Sequence, residues 1–391
     1  MRLLYVGAFR MPNLDAASAR VLNNAKAFRA AGCNVSFISW GGQYMKSDLC
    51  DDGKYRTFGF QYTITGELDC EGGFFSKLRH RICRGNKTKR LLENMTEKPD
   101  AIVLYNAEYS WTKKMMSYCK KNHVRLIHDM TEWFSNNEIH LTDIIPNYLN
   151  MTRLQKKVPN KILISEYLNS RYPESHNIVL PPLCDKTDNK WNEEINDERL
   201  DGFVGTTLIY AGSPMKKDCL HVVINVVNQL LQEGAKLRLI ILGVNKEKYV
   251  EDYKKWIHSP RIHDNIIFLG RVSQEFVPAY YKKADFMVLI RKPSRKNQAG
   301  FPTKVAESMV SGTPVITNAT SDLSKYVIDG KTGFLVYGYN EVALSSVLKS
   351  SVLGLNRDLI DDMKNNTVAY NDVFHYGHYI NEVSIFLRDL R

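Results

Sequence analysis

The sequence contains no C-x-x-C pair, and its seven cysteines are an odd number. This argues against a disulfide framework or a zinc site and reads as reduced, mostly buried thiols in the cytosol. No apolar run approaches the ~18 residues of a membrane span. The amino terminus, Met1-Arg2-Leu3-Leu4-Tyr5-Val6-Gly7, lacks the charged region, long apolar stretch and cleavage site of a secretory leader and runs directly into a strand-like segment. The reading is a soluble or peripheral protein of the cytoplasm. Helix-turn-helix, zinc-finger and RNP-type signatures are also missing, so nucleic acid is not the expected partner. There is no short-period repeat and no low-complexity tract.

What is present is bulk, charge and periodicity. A chain of 391 residues is too long for one ordinary core and suits two α/β domains. Hydrophobic residues make up 44% and charged residues 24%, the balance of a globular protein. The net charge of +11 calls for an anionic partner, such as a phosphate-rich substrate or an anionic bilayer surface.

Short apolar runs alternate with amphipathic helical stretches, as in parallel α/β domains. In the first half Leu3–Val6 predicts a strand, Gly7 a loop, and Ala16–Ala31 a helix stopped by Gly32. Strands follow at Val35–Ser39, Ala101–Tyr105, Val124–His128, Lys161–Ser165 and Ile178–Leu180, and Pro181-Pro182 ends this domain, residues 1–184. The polar, highly charged stretch 185–203 reads as an interdomain connection, with Asp185 and Asp188 solvated. A second series, 185–369, has strands at Thr207–Ala211, Leu237–Leu242, Ile266–Leu269, Phe286–Ile290 and Pro314–Thr317. In the last segment, 370–391, Tyr379, Val383, Phe386 and Leu387 fall at helical spacing and predict a helix that packs back on the first domain.

In open α/β sheets ligands bind beyond the carboxyl ends of strands, so the informative loops follow strands. After Phe286–Ile290 comes a basic loop, then Gly300-Phe301-Pro302 and a helix, Thr303–Ser311. With Thr303 as N-cap, the helix start is a ready anion site beside Gly300. Glu307, one turn inside, is placed to accept hydrogen bonds from the two hydroxyls of a ribose. The stretch Gly300-Phe301-Pro302-Thr303-Lys304-Val305-Ala306-Glu307 through Gly312-Thr313-Pro314-Val315-Ile316, with the later Asp329-Gly330-Lys331-Thr332-Gly333-Phe334, resembles the retaining GT-B glycosyltransferases of the "glycosyl transferases group 1" family.

Two further stretches carry the resemblance. Tyr210-Ala211-Gly212-Ser213-Pro214-Met215-Lys216-Lys217-Asp218 matches the strand, glycine and lysine that meet the donor's phosphates, implying Lys217, with Lys216 beside it, as the cation for the leaving diphosphate. Ile266–Val272 matches the segment whose backbone, here Arg271 and Val272, holds the base. In the first domain, Gly7, Ala8 and Arg20 resemble the family's first loop and helix, facing donor phosphates and acceptor. His128-Asp129-Met130-Thr131-Glu132 follows a strand where the family places a histidine before a glutamate, and the family histidine aligns with Thr131. The resemblance implies catalytic roles for Lys217, Glu307, His128 and Thr131. It implies donor contacts at Gly7, Gly212, Ser213, Lys216, Arg271, Val272, Gly300, Phe301, Pro302, Thr303 and Lys304, and acceptor-side positions at Ala8, Arg20, Asp129 and Glu132.

Two departures stand out. Ala299 replaces the first carboxylate of the family's two-glutamate pattern, leaving the donor sugar's hydroxyls to backbone N–H groups near Gly300–Phe301 or to Asn297 and Gln298. Ser213 replaces an arginine beside the phosphate-site glycine, for which Arg291, Arg295 or Lys304 are substitutes.

The expectation is a GT-B fold, two Rossmann-like parallel-sheet domains facing across a cleft. The expected activity is retaining, metal-independent transfer of a hexose-type sugar from a UDP- or GDP-linked donor to a glycan or lipid-linked glycan, without cofactor, in surface polysaccharide synthesis. No D-x-D pair follows a strand. The alternatives are a non-catalytic basic binding protein on the same scaffold and a nucleotide-sugar epimerase. The segment 74–84, Phe74-Phe75-Ser76-Lys77-Leu78-Arg79-His80-Arg81-Ile82-Cys83-Arg84, mixes apolar anchors with cations and suggests contact with an anionic membrane at the inner face of the plasma membrane.

Overall fold

The computed structural model describes residues 1–68, 83–135, 138–139, 141–259 and 261–391, with the Lys216 side chain left out. Most of the basic segment 74–84 lies outside the described residues. The chain forms two compact units, Met1–Leu183 with Tyr376–Arg391, and Cys184–His375.

The first unit is built on eight strands: β1 (Arg2–Met11), β2 (Asn34–Gly42), β3 (Arg56–Thr57), β4 (Phe60–Ile64), β5 (Ala101–Tyr105), β6 (Arg125–Met130), β7 (Asn160–Leu163) and β8 (His176–Val179). Their order is β3-β4-β2-β1-β5-β6-β7-β8, all parallel except β3, which pairs antiparallel with β4. β1 runs on past Gly7 to Met11 with a register shift, where a loop was expected. Helices cover the sheet on both faces, which is why strands such as β5 are apolar throughout rather than alternating. On one face Tyr5, Phe9, Phe37 and Phe60 pack edge-to-face or tilted, with Phe37 and Phe60 centroids 5.6 Å apart.

The helix Ile380–Arg388 completes that same core. Val383, Phe386 and Leu390 are buried in it, and Phe386 stacks on His176 at 4.9 Å. Asn160 fixes the end of the chain, donating to the Arg391 carbonyl at 2.8 Å and accepting from its N–H at 2.9 Å.

The second unit has six parallel strands: β9 (Thr206–Ala211), β10 (Leu237–Leu242), β11 (Ile266–Gly270), β12 (Phe286–Leu289), β13 (Val315–Asn318) and β14 (Gly333–Val336). Their order, β11-β10-β9-β12-β13-β14, puts a topological switch point between β9 and β12. The stretch 185–203 is packed rather than free. Trp191 and Leu200 are buried, and Arg238 donates to the Leu200 carbonyl at 2.8 Å. Asp185, expected to be solvated, is 7% exposed and accepts from the N–H and hydroxyl of Thr187. No helix among the described residues is long and apolar enough to cross a membrane.

Candidate functional site

At the switch point the loops after β9 and β12 meet. Three strand ends are tied together by backbone bonds: Gly212 N–H donates to the Leu242 carbonyl at 3.1 Å, and Gly243 N–H to the Gly270 carbonyl at 2.6 Å. The loops cross closely enough to demand glycine. Gly243 sits at φ +101°, and a Cβ there would lie 2.5 Å from the Gly212 carbonyl carbon. Gly212, at φ +124°, would place a Cβ 3.2 Å from Lys304 Nζ.

Below this crossing lies a buried charge cluster. Asp218 accepts from Lys304 Nζ at 2.8 Å and Tyr210 OH at 3.0 Å, with Arg291 Nε at 3.4 Å. Burial alone would lift the Asp218 carboxyl, but the charges of Lys304 and Arg291 overcome it and hold the group below its usual range. Burial in turn lowers the Lys304 ammonium, against the pull of Asp218. Two cations against one carboxylate leave the floor of the glycine loop positive. The helix Thr303–Val310 adds the free N–H groups of Thr303 and Lys304 at its start.

Above the crossing is a pocket of about 290 Å³ lined by Gly212, Ser213, Gly243, Arg271, Val272 and Glu307 among others. Glu307 is half-buried. Burial lifts its carboxyl, opposed by Lys190 and Lys304. A carboxylate acceptor, close-approach glycines and a positive loop floor thus converge within one unit, at the position where an open α/β sheet holds its ligand. Residues 204–367 match the model of the family described as glycosyl transferases group 1. The match spans 164 of the chain's 391 residues, and over that stretch the chain is similar to the family.

Curated relatives match this chain over short stretches. Alpha-monoglucosyldiacylglycerol synthase of Streptococcus pneumoniae is 32% identical over 114 residues, 29% of this chain and 24% of that enzyme. D-inositol 3-phosphate glycosyltransferase of Xylanimonas cellulosilytica is 27% identical over 143 residues, 36% of this chain and 32% of that enzyme. The chain therefore spans a third or less of these relatives' own length. Similarity of fold covers far more. Anabaena HepE in complex with UDP and glucose superposes with a TM-score of 0.70 at 14% identity over 100% of both chains. WaaG, a glycosyltransferase involved in lipopolysaccharide biosynthesis, gives 0.65 at 12% identity over 99% of this chain and 100% of its own. The fold is GT-B, with two Rossmann-like parallel-sheet domains.

Of the residues singled out in the second unit, the structure brings Gly212, Ser213, Arg271, Val272 and Glu307 to one pocket, with Lys304 beneath it. Several others are placed differently from expectation. Thr303 is the first helical residue, not the N-cap, because Pro302 holds the extended cap conformation and no side chain caps the helix. Gly300 N–H is spent on the Lys296 carbonyl at 2.9 Å. Phe301 packs edge-to-face on Tyr326 and Phe374, and Pro302 is buried. Asn297 is fully buried, accepting from Arg291 at 2.6 Å and donating to the Lys292 and Lys217 carbonyls, while Gln298 accepts from Ser321 N–H. The Asn297 amide is thus used on both its oxygen and its nitrogen, whereas half-buried Gln298 is engaged through its oxygen. Lys217 is half-buried and its charge acts on Asp218; the side chain of Lys216 lies outside those described.

The first-unit candidates are mostly structural. Arg20 and Asp129 form a buried ion pair at 2.8 Å. Asp129 also accepts from Tyr5 and Asn24, and Arg20 donates to the Leu180 carbonyl. Both are buried, with 4% and 0% exposure. His128 is buried with both ring nitrogens used: Nε2 accepts from Ala107 N–H at 2.8 Å and Nδ1 donates to Gln155 Oε1 at 2.6 Å. Burial, against the Gln155 bond, pushes its pKa down to about 4, so it is a neutral strut rather than an acid–base group. Thr131 is paired through backbone and hydroxyl with Asn106. Gly7 lets β1 lie against β5, where a Cβ would come 2.9 Å from the Tyr105 carbonyl oxygen. Ala8 packs on the core. Glu132 is half-buried and lines a small pocket of about 90 Å³.

Sequence reasoning missed Gly243, Gln274 and Asp218. Gly243 was within reach, being a glycine directly after a predicted strand. Asp218 was not, since its partners Lys304 and Arg291 are 86 and 73 positions away.

Proposed function

We propose that this protein is a retaining glycosyltransferase that moves a sugar from a UDP- or GDP-linked donor to a glycan or lipid-linked glycan in surface polysaccharide synthesis. The observation that carries the reading is the pocket uniting Glu307 with Gly212, Gly243 and Arg271 above the Lys304–Asp218–Arg291 cluster. In this reading Glu307 accepts both ribose hydroxyls and the backbone at Arg271–Val272 holds the base. The diphosphate lies over Gly212 and the start of helix Thr303–Val310. Lys304 replaces the arginine that Ser213 displaces, and Lys217 serves the outer phosphate.

As the bond from the sugar's anomeric carbon to the diphosphate oxygen breaks, its electron pair stays on that oxygen, stabilised by these cations and N–H groups. The acceptor oxygen bonds to the same carbon from the same face and passes its proton to the departing phosphate. The reaction as drawn uses neither metal nor cofactor. A membrane-proximal location fits the helix Leu141–Leu149, where Leu141, Ile145 and Tyr148 are 84%, 69% and 56% exposed, followed in the chain by the exposed cations Arg153, Lys156 and Lys157.

The test is thermal unfolding with UDP, GDP, ADP and CDP for the wild type and Glu307→Ala. A ligand that binds only the folded state raises its stability by mass action. One nucleotide should stabilise the wild type. Losing hydrogen bonds to a carboxylate, at about 1.5–3 kcal/mol each, should weaken that nucleotide at least roughly ten-fold in the variant. Equal stabilisation of both proteins, or none of the wild type, would overturn the reading.

A further inference from the structure

A second cavity in the second unit shares no lining residue with the pocket of Glu307. It encloses about 590 Å³, inside the ~300–1,000 Å³ range of small-molecule sites. Four stretches build it: the start of the helix Leu220–Gln232, the chain after the helix Lys246–Tyr253, the loop after β12, and the turn between β14 and the helix Glu341–Val347.

Its walls are aromatic. The Trp256 ring lies 5.7 Å from Tyr253 and 5.9 Å from the His221 imidazole, and Tyr339 adds a further ring. Trp256 and Tyr339 remain 39% and 43% exposed, although rings of this size gain most when covered. Its charge is positive. Lys255 and Lys292 are exposed at its edge. Its one lining carboxylate, Glu341, is already engaged, with His258 Nε2 at 2.9 Å and Asn225 Nδ2 at 2.7 Å on the same oxygen.

We propose that this cavity binds an anionic pyranose, a sugar carrying a carboxylate or a phosphate. The faces of aromatic rings are the negative side of their quadrupole and accept the C–H face of a sugar ring, whose carbons are made positive by their oxygens. A lysine ammonium supplies the partner for the anionic group. Neither feature alone selects this class. A neutral sugar leaves the two lysines without a role, and a simple polyanion leaves the rings uncovered. The cavity also adjoins the donor loop, because Cys219 lines it and Tyr253 OH donates to the Pro214 carbonyl at 3.4 Å. The inference stands on the cavity itself and not on the donor reading.

Calorimetric titration of the full chain with trigalacturonate, mannose 6-phosphate and maltotriose tests it. At least one of the two anionic probes should bind, and which one does identifies the anionic group. Trp256→Ala and Lys255→Ala should each weaken that probe by about ten-fold, while the stabilisation of the chain by its nucleotide stays at the wild-type value. The proposal is overturned if neither anionic probe binds at millimolar concentration, if maltotriose binds as tightly, or if Trp256→Ala leaves affinity unchanged. A chain that binds the anionic sugar but no nucleotide would refute the donor reading and leave this one standing.

Discussion

Replacing Asp218 with alanine removes the carboxylate between Arg291, which is buried, and Lys304, whose side chain is 15% exposed. Asp218 is 3% exposed, with Lys304 Nζ at 2.8 Å, Tyr210 OH at 3.0 Å and Arg291 Nε at 3.4 Å. Breaking a buried pair by deleting one partner costs about 3–5 kcal/mol, because the charge left behind is uncompensated. In a domain of this size each kcal/mol lowers Tm by about 2–4 °C, so differential scanning calorimetry should show a fall of roughly 6–20 °C.

The same change makes the floor of the glycine loop more positive by one charge. If a diphosphate sits there, its nucleotide should raise the Tm of Asp218→Ala by more than that of the wild type at equal concentration. The pH dependence has a definite sign. Burial lifts the Asp218 carboxyl, but Lys304 and Arg291 more than reverse this. Its stabilisation is therefore complete above the ordinary carboxylate pKa, near ~4, and is lost as pH falls through the lower folded value. The two proteins should differ fully at pH 7 and converge in strong acid. A variant melting within about 2 °C of the wild type at pH 7 would refute the argument, since so small a change means that no cation was stranded.

Two other expectations concern the first unit. The His128 imidazole, pushed by burial to about 4 despite its bond to Gln155, charges more readily in the unfolded chain. Stability should therefore fall as pH drops from about 6.5 to 4, by roughly 3 kcal/mol more than in His128→Gln, measured by urea unfolding; equal pH slopes would contradict its buried neutral state. The double variant Leu141→Ser with Ile145→Ser should release the protein from vesicles of anionic phospholipid in a sedimentation assay. Because both side chains are exposed, Tm should change little. Retention on vesicles would move membrane contact elsewhere.

The strands of both sheets were legible because apolar runs and glycine breaks are local. Ala101–Tyr105 and Leu237–Leu242 fall where hydrophobicity put them. The hairpin of β3 and β4 was not seen, since its turn is Phe58-Gly59, both at positive φ, where asparagine or aspartate ordinarily signals such a turn. In the donor region, the glycines and Glu307 carry their roles in local spacing. The cluster beneath them joins Asp218 and Arg291, from the segments after β9 and β12, to Lys304 of the helix Thr303–Val310, and no local pattern reports that Lys304 pairs with Asp218. His128 shows the opposite failure. A histidine at a strand end looks chemical in sequence, and only its partners, Ala107 and Gln155, show that both nitrogens are already occupied.

The return of the helix Ile380–Arg388 to the first unit bears on how the chain is made. The first unit is synthesised first, yet Val383, Phe386 and Leu390 belong to its core. Domains usually fold in the order in which they leave the ribosome. Here the whole of Cys184–His375 emerges before the first unit has all its parts, so the amino-terminal half is begun first and finished last. The second unit carries its own closure: Cys184 N–H donates to the Phe374 carbonyl at 2.7 Å, joining its two ends. It can complete itself on the ribosome while the older half still waits for its final helix.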